Sequence, residues 1–127
     1  MNLLNKTVLL TGASGGIGQA LARELAQRGA RLYLVGRNEK AMSLLQNTLP
    51  HPKRHNIVLM QSYSDEEIMA LASRFSQNGG LDILINNAGS SRFALFEQQS
   101  FDDIREQIRT NIEIPALLTR ALLERMN

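Results

Sequence analysis

The stretch Thr11-Gly12-Ala13-Ser14-Gly15-Gly16-Ile17-Gly18 decides how the rest of this sequence is read. It follows a short, uninterrupted apolar run, Thr7-Val8-Leu9-Leu10, and opens a segment whose apolar residues Ile17, Ala20, Leu21, Ala22 and Leu25 have helical spacing, with Gly29 placed to end that helix. A run without alternation suits a strand buried on both faces of a parallel sheet. The glycines therefore fall in a strand-to-helix turn, where the first N–H groups of the helix lack partners and missing side chains let an anion approach. A pyrophosphate fits that demand. The spacing is G-x-x-x-G-x-G with Gly15 as a further glycine, which differs from the generic G-x-G-x-x-G. A tight turn without a ligand is the alternative, and Thr11 and Ser14 are placed either to contact phosphate or to cap the turn.

Outward from this turn the same alternation continues. Arg31–Val35 reads as a second strand; Asn38 can cap a second helix with apolar positions Ala41, Met42, Leu44, Leu45 and Leu49, stopped by Pro50. Ile57–Met60 gives a third strand. Ser64 and Glu67 have capping-box spacing, a structural pair, ahead of Ile68, Leu71, Ala72 and Phe75, and Asn78-Gly79-Gly80 ends that helix. Leu81–Asn86 is a fourth strand, and from about Phe101 a long helix runs to the end with Ile104, Ile108, Ile112, Leu118 and Leu122 inward. There is no internal repeat, low-complexity tract or linker. This order predicts an α/β fold, a Rossmann-type doubly wound parallel sheet in three α/β/α layers, truncated after the fourth strand and the helix after it, with residues 1–127 as one dinucleotide-binding domain. In the strand order 3-2-1-4 the winding reverses between strands 1 and 4, so the glycine turn and Asn87-Ala88-Gly89 are predicted to flank one crevice at the carboxyl ends of the strands.

Composition narrows the partners. With 127 residues and 43% hydrophobic content the chain has the length of one ordinary domain. It has no cysteine, so neither a disulfide nor a thiolate metal site can form, no metal is expected, and a cytoplasmic location fits. No apolar run approaches the ~20 residues of a membrane span, and no signal peptide is expected. The net charge of +2 is mild; the basic cluster His51-Pro52-Lys53-Arg54-His55 lacks aromatics for base stacking and reads as a solvated loop rather than a nucleic-acid surface.

Two further positions carry chemistry. Strand 2 ends in Val35-Gly36-Arg37-Asn38, without the acidic residue that would meet the adenosine ribose hydroxyls of NAD. Arg37 is placed to make a charge-assisted contact to a 2′-phosphate and to stack beside adenine, or else to be a solvated surface arginine; the missing acid favours NADP(H) over NAD(H). Asn111 stands four residues before Pro115, which cannot donate to the Asn111 carbonyl, so the helix is expected to bend there and that carbonyl is able to hold a water. On spacing alone this is an ordinary proline kink.

Together, Thr11–Gly18, Leu81-Asp-Ile-Leu-Ile-Asn-Asn-Ala-Gly89, and Thr110-Asn111 with Pro115–Leu123 resemble the short-chain dehydrogenase/reductase family over nearly the whole chain. The resemblance implies reversible hydride transfer between NAD(P)(H) and an alcohol or carbonyl substrate. It implies that Gly12, Ser14, Gly15, Gly16, Ile17 and Gly18 meet the cofactor phosphates and adjoining ribose, Arg37 the 2′-phosphate, and Asn87, Ala88 and Gly89 the cofactor along strand 4. Asn111 would be the family's catalytic asparagine, whose backbone holds the water of a proton relay. Ser90 to Gln99 would line one wall of the substrate site, or, for Arg92 and Phe93, be plain loop.

This sequence departs from the family pattern at three places. Gly15 stands where many NADP-preferring members carry a basic residue, and Ser62 stands where an acidic residue often faces adenine, with Asp65 nearby. The family's serine and Tyr-x-x-x-Lys lie downstream of the last helix; the tyrosines here, Tyr33 and Tyr63, have Arg37 and Glu67 four residues on. Without those groups, and with general acid–base catalysis contributing ~10²–10⁴-fold, turnover by these residues alone should be very poor. An open edge on strand 4 and an apolar last helix make a homo-oligomer the expected state. A regulatory module that binds a dinucleotide or a partner without catalysis is the second reading.

Overall fold

The four apolar runs pair side by side as parallel strands. In the computed structural model, which describes residues 2–77, 79–89 and 95–127, β1 (Thr7–Thr11), β2 (Arg31–Gly36), β3 (Asn56–Leu59) and β4 (Ile83–Ile85) form one sheet in the order β3-β2-β1-β4. Val8, Leu9 and Leu10 are all fully buried, because helices cover both faces and alternation would leave a polar residue in a core. On one face Val8, Leu10, Leu32 and Leu34 pack with Ala22 and Ala26 of α1 (Gly16–Gln27) and Met42 and Leu45 of α2 (Glu39–Thr48). On the other, Leu9, Val35 and Val58 pack with Ile68, Leu71 and Phe75 of α3 (Asp65–Gln77) and Leu118 and Leu122 of the last helix. The result is the three-layer Rossmann-type fold.

The local signals behave as their chemistry dictates. Asn38 Oδ1 accepts from the Ala41 N–H at 3.0 Å, and Gly29 ends α1 at φ +89°. Ser64 Oγ accepts from the Glu67 N–H at 3.2 Å, while the Glu67 carboxylate accepts from the N–H groups of Ser62, Gln61 and Ser64 and the Ser62 hydroxyl, which holds its pKa down at about 2.

Several expectations are corrected. Ile17 and Ala20 are exposed rather than on the inward face of α1, and Leu44 faces outward from α2. The fourth strand is shorter than Leu81–Asn86: Leu81 pairs instead, in parallel, with Met126 across β4's outer edge. The last helix is not one regular α-helix. α4 (Phe101–Ile108) and α5 (Ile114–Leu123) flank a π-helical turn, Arg109–Glu113. Such a turn takes in an extra residue and rotates the helix beyond it, so Ile114, Leu118 and Leu122 face the sheet whereas Ile108 and Ile112, expected inward, are 50% and 64% exposed. Where a bend was expected from Asn111 and Pro115 the chain forms this π-helical turn, with the proline in the first turn of α5. The expected helix end at Asn78 and the segment Ser90–Ala94, with Arg92 and Phe93, lie outside the described residues. Among the described residues no helix is long and apolar enough to cross a membrane.

His55 corrects the solvated-loop reading of the basic cluster. It is buried, its Nδ1 accepts from the Leu32 N–H at 3.1 Å, and its Nε2 lies 2.9 Å from the Pro50 carbonyl, which assigns the proton to Nε2. The ring thus takes the place of a strand partner where β2 extends past β3. Burial, with the charges of Arg54 and His51, holds its pKa below 6.5 against the Pro50 hydrogen bond. A protonated Nδ1 cannot accept from Leu32. His55 therefore adds stability that is fully present above about pH 6.5 and is lost as pH falls through its lower folded pKa. His55→Ala is expected to cost about 2 kcal/mol at pH 7.5, by leaving Leu32 N–H and Pro50 C=O without their partner, and less at pH 5; urea midpoints at the two pH values check this.

Candidate functional site

The β1–α1 turn is built by close backbone contacts. Gly12 adopts φ +63°, and a Cβ on it would stand 2.9 Å from Ala88 Cα; a Cβ on Gly18 would stand 2.0 Å from the Gly12 carbonyl oxygen. These two glycines are required by the protein's own packing. Gly15 has only the Gly12 oxygen near its absent side chain, at 3.6 Å, and Gly16 has nothing within 4 Å. The sequence assigned all of these glycines to ligand approach; a Cβ would meet close backbone at Gly12 and Gly18, only the Gly12 oxygen at Gly15 and open space at Gly16.

The same turn is stitched to the loop after β4. Thr11, almost fully buried, accepts through Oγ1 from the N–H groups of Asn87 (2.9 Å) and Ala88 (3.0 Å), and Asn87 Nδ2 donates to the Gly12 carbonyl at 3.2 Å. Thr11 is therefore a structural residue. The Ser14 carbonyl accepts from Gln19 Nε2 at 2.7 Å. The N-terminus of α1 carries no side-chain cap and no acidic residue in its first turn, so its leading N–H groups and the positive end of its dipole meet the space in front of them.

That space is a cleft of about 550 Å³ along the carboxyl ends of the strands. Gly12, Ser14, Gly15, Gly16, Ile17 and Gly18 line it from the glycine turn, Arg37 from the end of β2, and Asn87, Ala88 and Gly89 from the end of β4. Ile17, 71% exposed, presents its side chain here rather than to the core. Arg37 is exposed and forms no ion pair among the described residues. Asn111 is not among the lining residues; its Oδ1 lies 3.1 Å from where a Cβ on Gly89 would stand, which puts its side chain directly against that loop. Neighbouring Glu106, Thr110 and Ile114 do reach the cleft.

Sequence reading missed these three and Tyr63. Ser62, where an adenine-facing acid was sought, is engaged with Glu67, and Asp65 does not reach the cleft; Tyr63, between them, does. Its signal was a large aromatic between two serines just before a capping box. Among the described residues no group of three or more His, Cys, Asp or Glu could hold a metal ion.

The sequence pattern of the short chain dehydrogenase family matches residues 6–127. A 3-oxoacyl-(acyl-carrier-protein) reductase of Rickettsia typhi is 36% identical over 126 residues, covering 99% of this chain and 50% of that protein. A short-chain dehydrogenase structure from Streptomyces avermitilis superposes with a TM-score of 0.86 at 30% identity, over 95% of this chain and 44% of its own. A metagenomic short-chain oxidoreductase solved in complex with NADP superposes with a TM-score of 0.84 at 27% identity, over 98% of this chain and 57% of its own. The chain spans about half the length of the curated relatives it matches.

Proposed function

The chain belongs to the short-chain dehydrogenase family, and from that premise we propose that residues 1–127 form the dinucleotide-binding part of an oxidoreductase moving a hydride between NAD(P)(H) and an alcohol or carbonyl substrate. The observation that carries this reading is the meeting of an uncapped helix N-terminus, the open position at Gly16 and an arginine that forms no ion pair among the described residues in one cleft. Its volume of about 550 Å³ suits the ~300–1,000 Å³ of small-molecule sites. The turn from Ser14 to Gly18 would hold the pyrophosphate through backbone N–H groups, Gly12 giving the turn its shape. Asn87, Ala88 and Gly89 would line the nicotinamide half. When bound, the cofactor supplies or accepts the hydride.

Arg37 supports a preference for NADP(H) over NAD(H): a guanidinium in a cleft with no carboxylate at the end of β2 suits a 2′-phosphate. Asn111 is the proposed catalytic residue of this segment, standing against Gly89 and holding a relay water through its backbone. Calorimetric titration tests the reading: NADPH should saturate one site, at least about tenfold tighter than NADH, and a protein that binds neither would end it.

We also propose self-association as a homo-oligomer. The exposed Phe101, Ile108, Ile112 and Leu123 form apolar surface along the last helix. Ile112→Lys should shift sedimentation towards the monomer; an unchanged profile would remove this helix from the interface.

A further inference from the structure

Tyr63 holds a backbone conformation that few residues of its size adopt, φ 52° in the left-handed region. It is nearly fully buried against the α3 side of the sheet, yet it also lines the cleft beside Arg37 and Asn38. Strain of this kind persists only where the surroundings fix it. From one side the Glu67 carboxylate gathers the N–H groups of Gln61, Ser62 and Ser64. From the other, Arg109 Nη2 donates to the Tyr63 carbonyl at 2.8 Å and to the Ser62 carbonyl at 3.4 Å, its guanidinium also held by the Glu113 carboxylate. Gln61 Nε2 donates to the Arg37 carbonyl at 3.3 Å, so the loop before α3 is tied to the end of β2 as well.

Arg109 comes from the π-helical turn that also carries Asn111. We propose that Arg109 is a positioning residue: it fixes the Ser62–Tyr63 backbone and so shapes the adenosine end of the cleft, joining that end to the turn that holds Asn111. The inference rests on reading the cleft as a dinucleotide site with Arg37 at its adenosine end. Burial pushes the Tyr63 phenol upward in pKa and the Arg37 charge opposes the push, as expected of two side chains that share one end of the cleft.

A double-mutant cycle on NADPH affinity, with melting temperatures alongside, tests this. Arg109→Ala should weaken NADPH by about tenfold, about 1.4 kcal/mol, and Arg37→Ala by at least as much. The double variant should be weakened well short of the product of the two, because each acts on the same end of the cofactor. Arg109→Lys, which can reach one carbonyl with an ammonium, should recover part of the loss and keeps the test open if Arg109→Ala does not fold. A merely structural Arg109 would lower the melting temperature and leave the two effects multiplicative. Multiplicative effects, or Arg109→Ala within about twofold of wild type, would overturn the proposal while the cofactor reading stands. A wild-type protein that binds no NADPH would overturn both.

Discussion

Gly18→Ala is expected to be the most damaging conservative substitution in this chain, costing about 3 kcal/mol or more against a typical total stability of ~5–15 kcal/mol. The added methyl would lie 2.0 Å from the Gly12 oxygen and 2.9 Å from Ala13 Cα, and the three nearest atoms are all backbone. No side chain can swing aside, so relief requires moving the whole turn away from β1. A urea midpoint equal to wild type would contradict this. Gly16→Ala is the contrasting case: with nothing within 4 Å of the new methyl, and with alanine the better helix former by ~0.5–1 kcal/mol, stability should hold or rise. NADPH affinity should nevertheless fall, since the methyl enters the side from which the phosphates approach. The pair separates a glycine required by the fold from one required by the ligand.

Arg37→Ala is expected to weaken NADPH by about 10–30-fold, ~1.4–2 kcal/mol, the size of a charge-assisted hydrogen bond. NADH should change far less, because it lacks the 2′-phosphate that the charge-assisted contact would meet and shares only the stacking beside adenine. The substitution is safe for the fold: the side chain is exposed and makes no ion pair among the described residues, and the neighbouring cap, Asn38 to Ala41, is untouched. Parallel titrations decide it. Equal losses for both dinucleotides would mean that Arg37 acts through general charge or local structure and not through the 2′-phosphate.

The strands and their order could be read because each run is short, apolar and bounded by a signal with one mechanism: glycine at positive φ after α1, asparagine capping α2, the serine and glutamate pair opening α3. The placement of Arg37 and of Asn87, Ala88 and Gly89 in one cleft came from topology, since the chain reverses its winding between β1 and β4. The features that escaped sequence reading arise from distant contacts. Which glycines the backbone packing requires depends on how near Ala88 and the Gly12 oxygen come, which no spacing encodes. Leu118 and Leu122 of the last helix face inward as read, whereas Ile108 and Ile112, before and within the π-helical turn at Arg109–Glu113, do not, because periodicity assumes one regular helix across that turn. His55 looked like one charge in a basic cluster until Leu32 and Pro50 were found at its two nitrogens. Tyr63 carried no motif, and its place in the cleft depends on a left-handed backbone held by a residue 46 positions away.

The most direct measurement is an amide chemical-shift map of the protein titrated with NADPH. The cofactor-site reading predicts the largest changes at Gly15, Gly16, Ile17 and Gly18, with further changes at Arg37 and at Ala88 and Gly89, and none of comparable size at the opposite end of the strands around Arg31 and Lys53. Saturating changes confined to any other surface, or no changes at all, would contradict it.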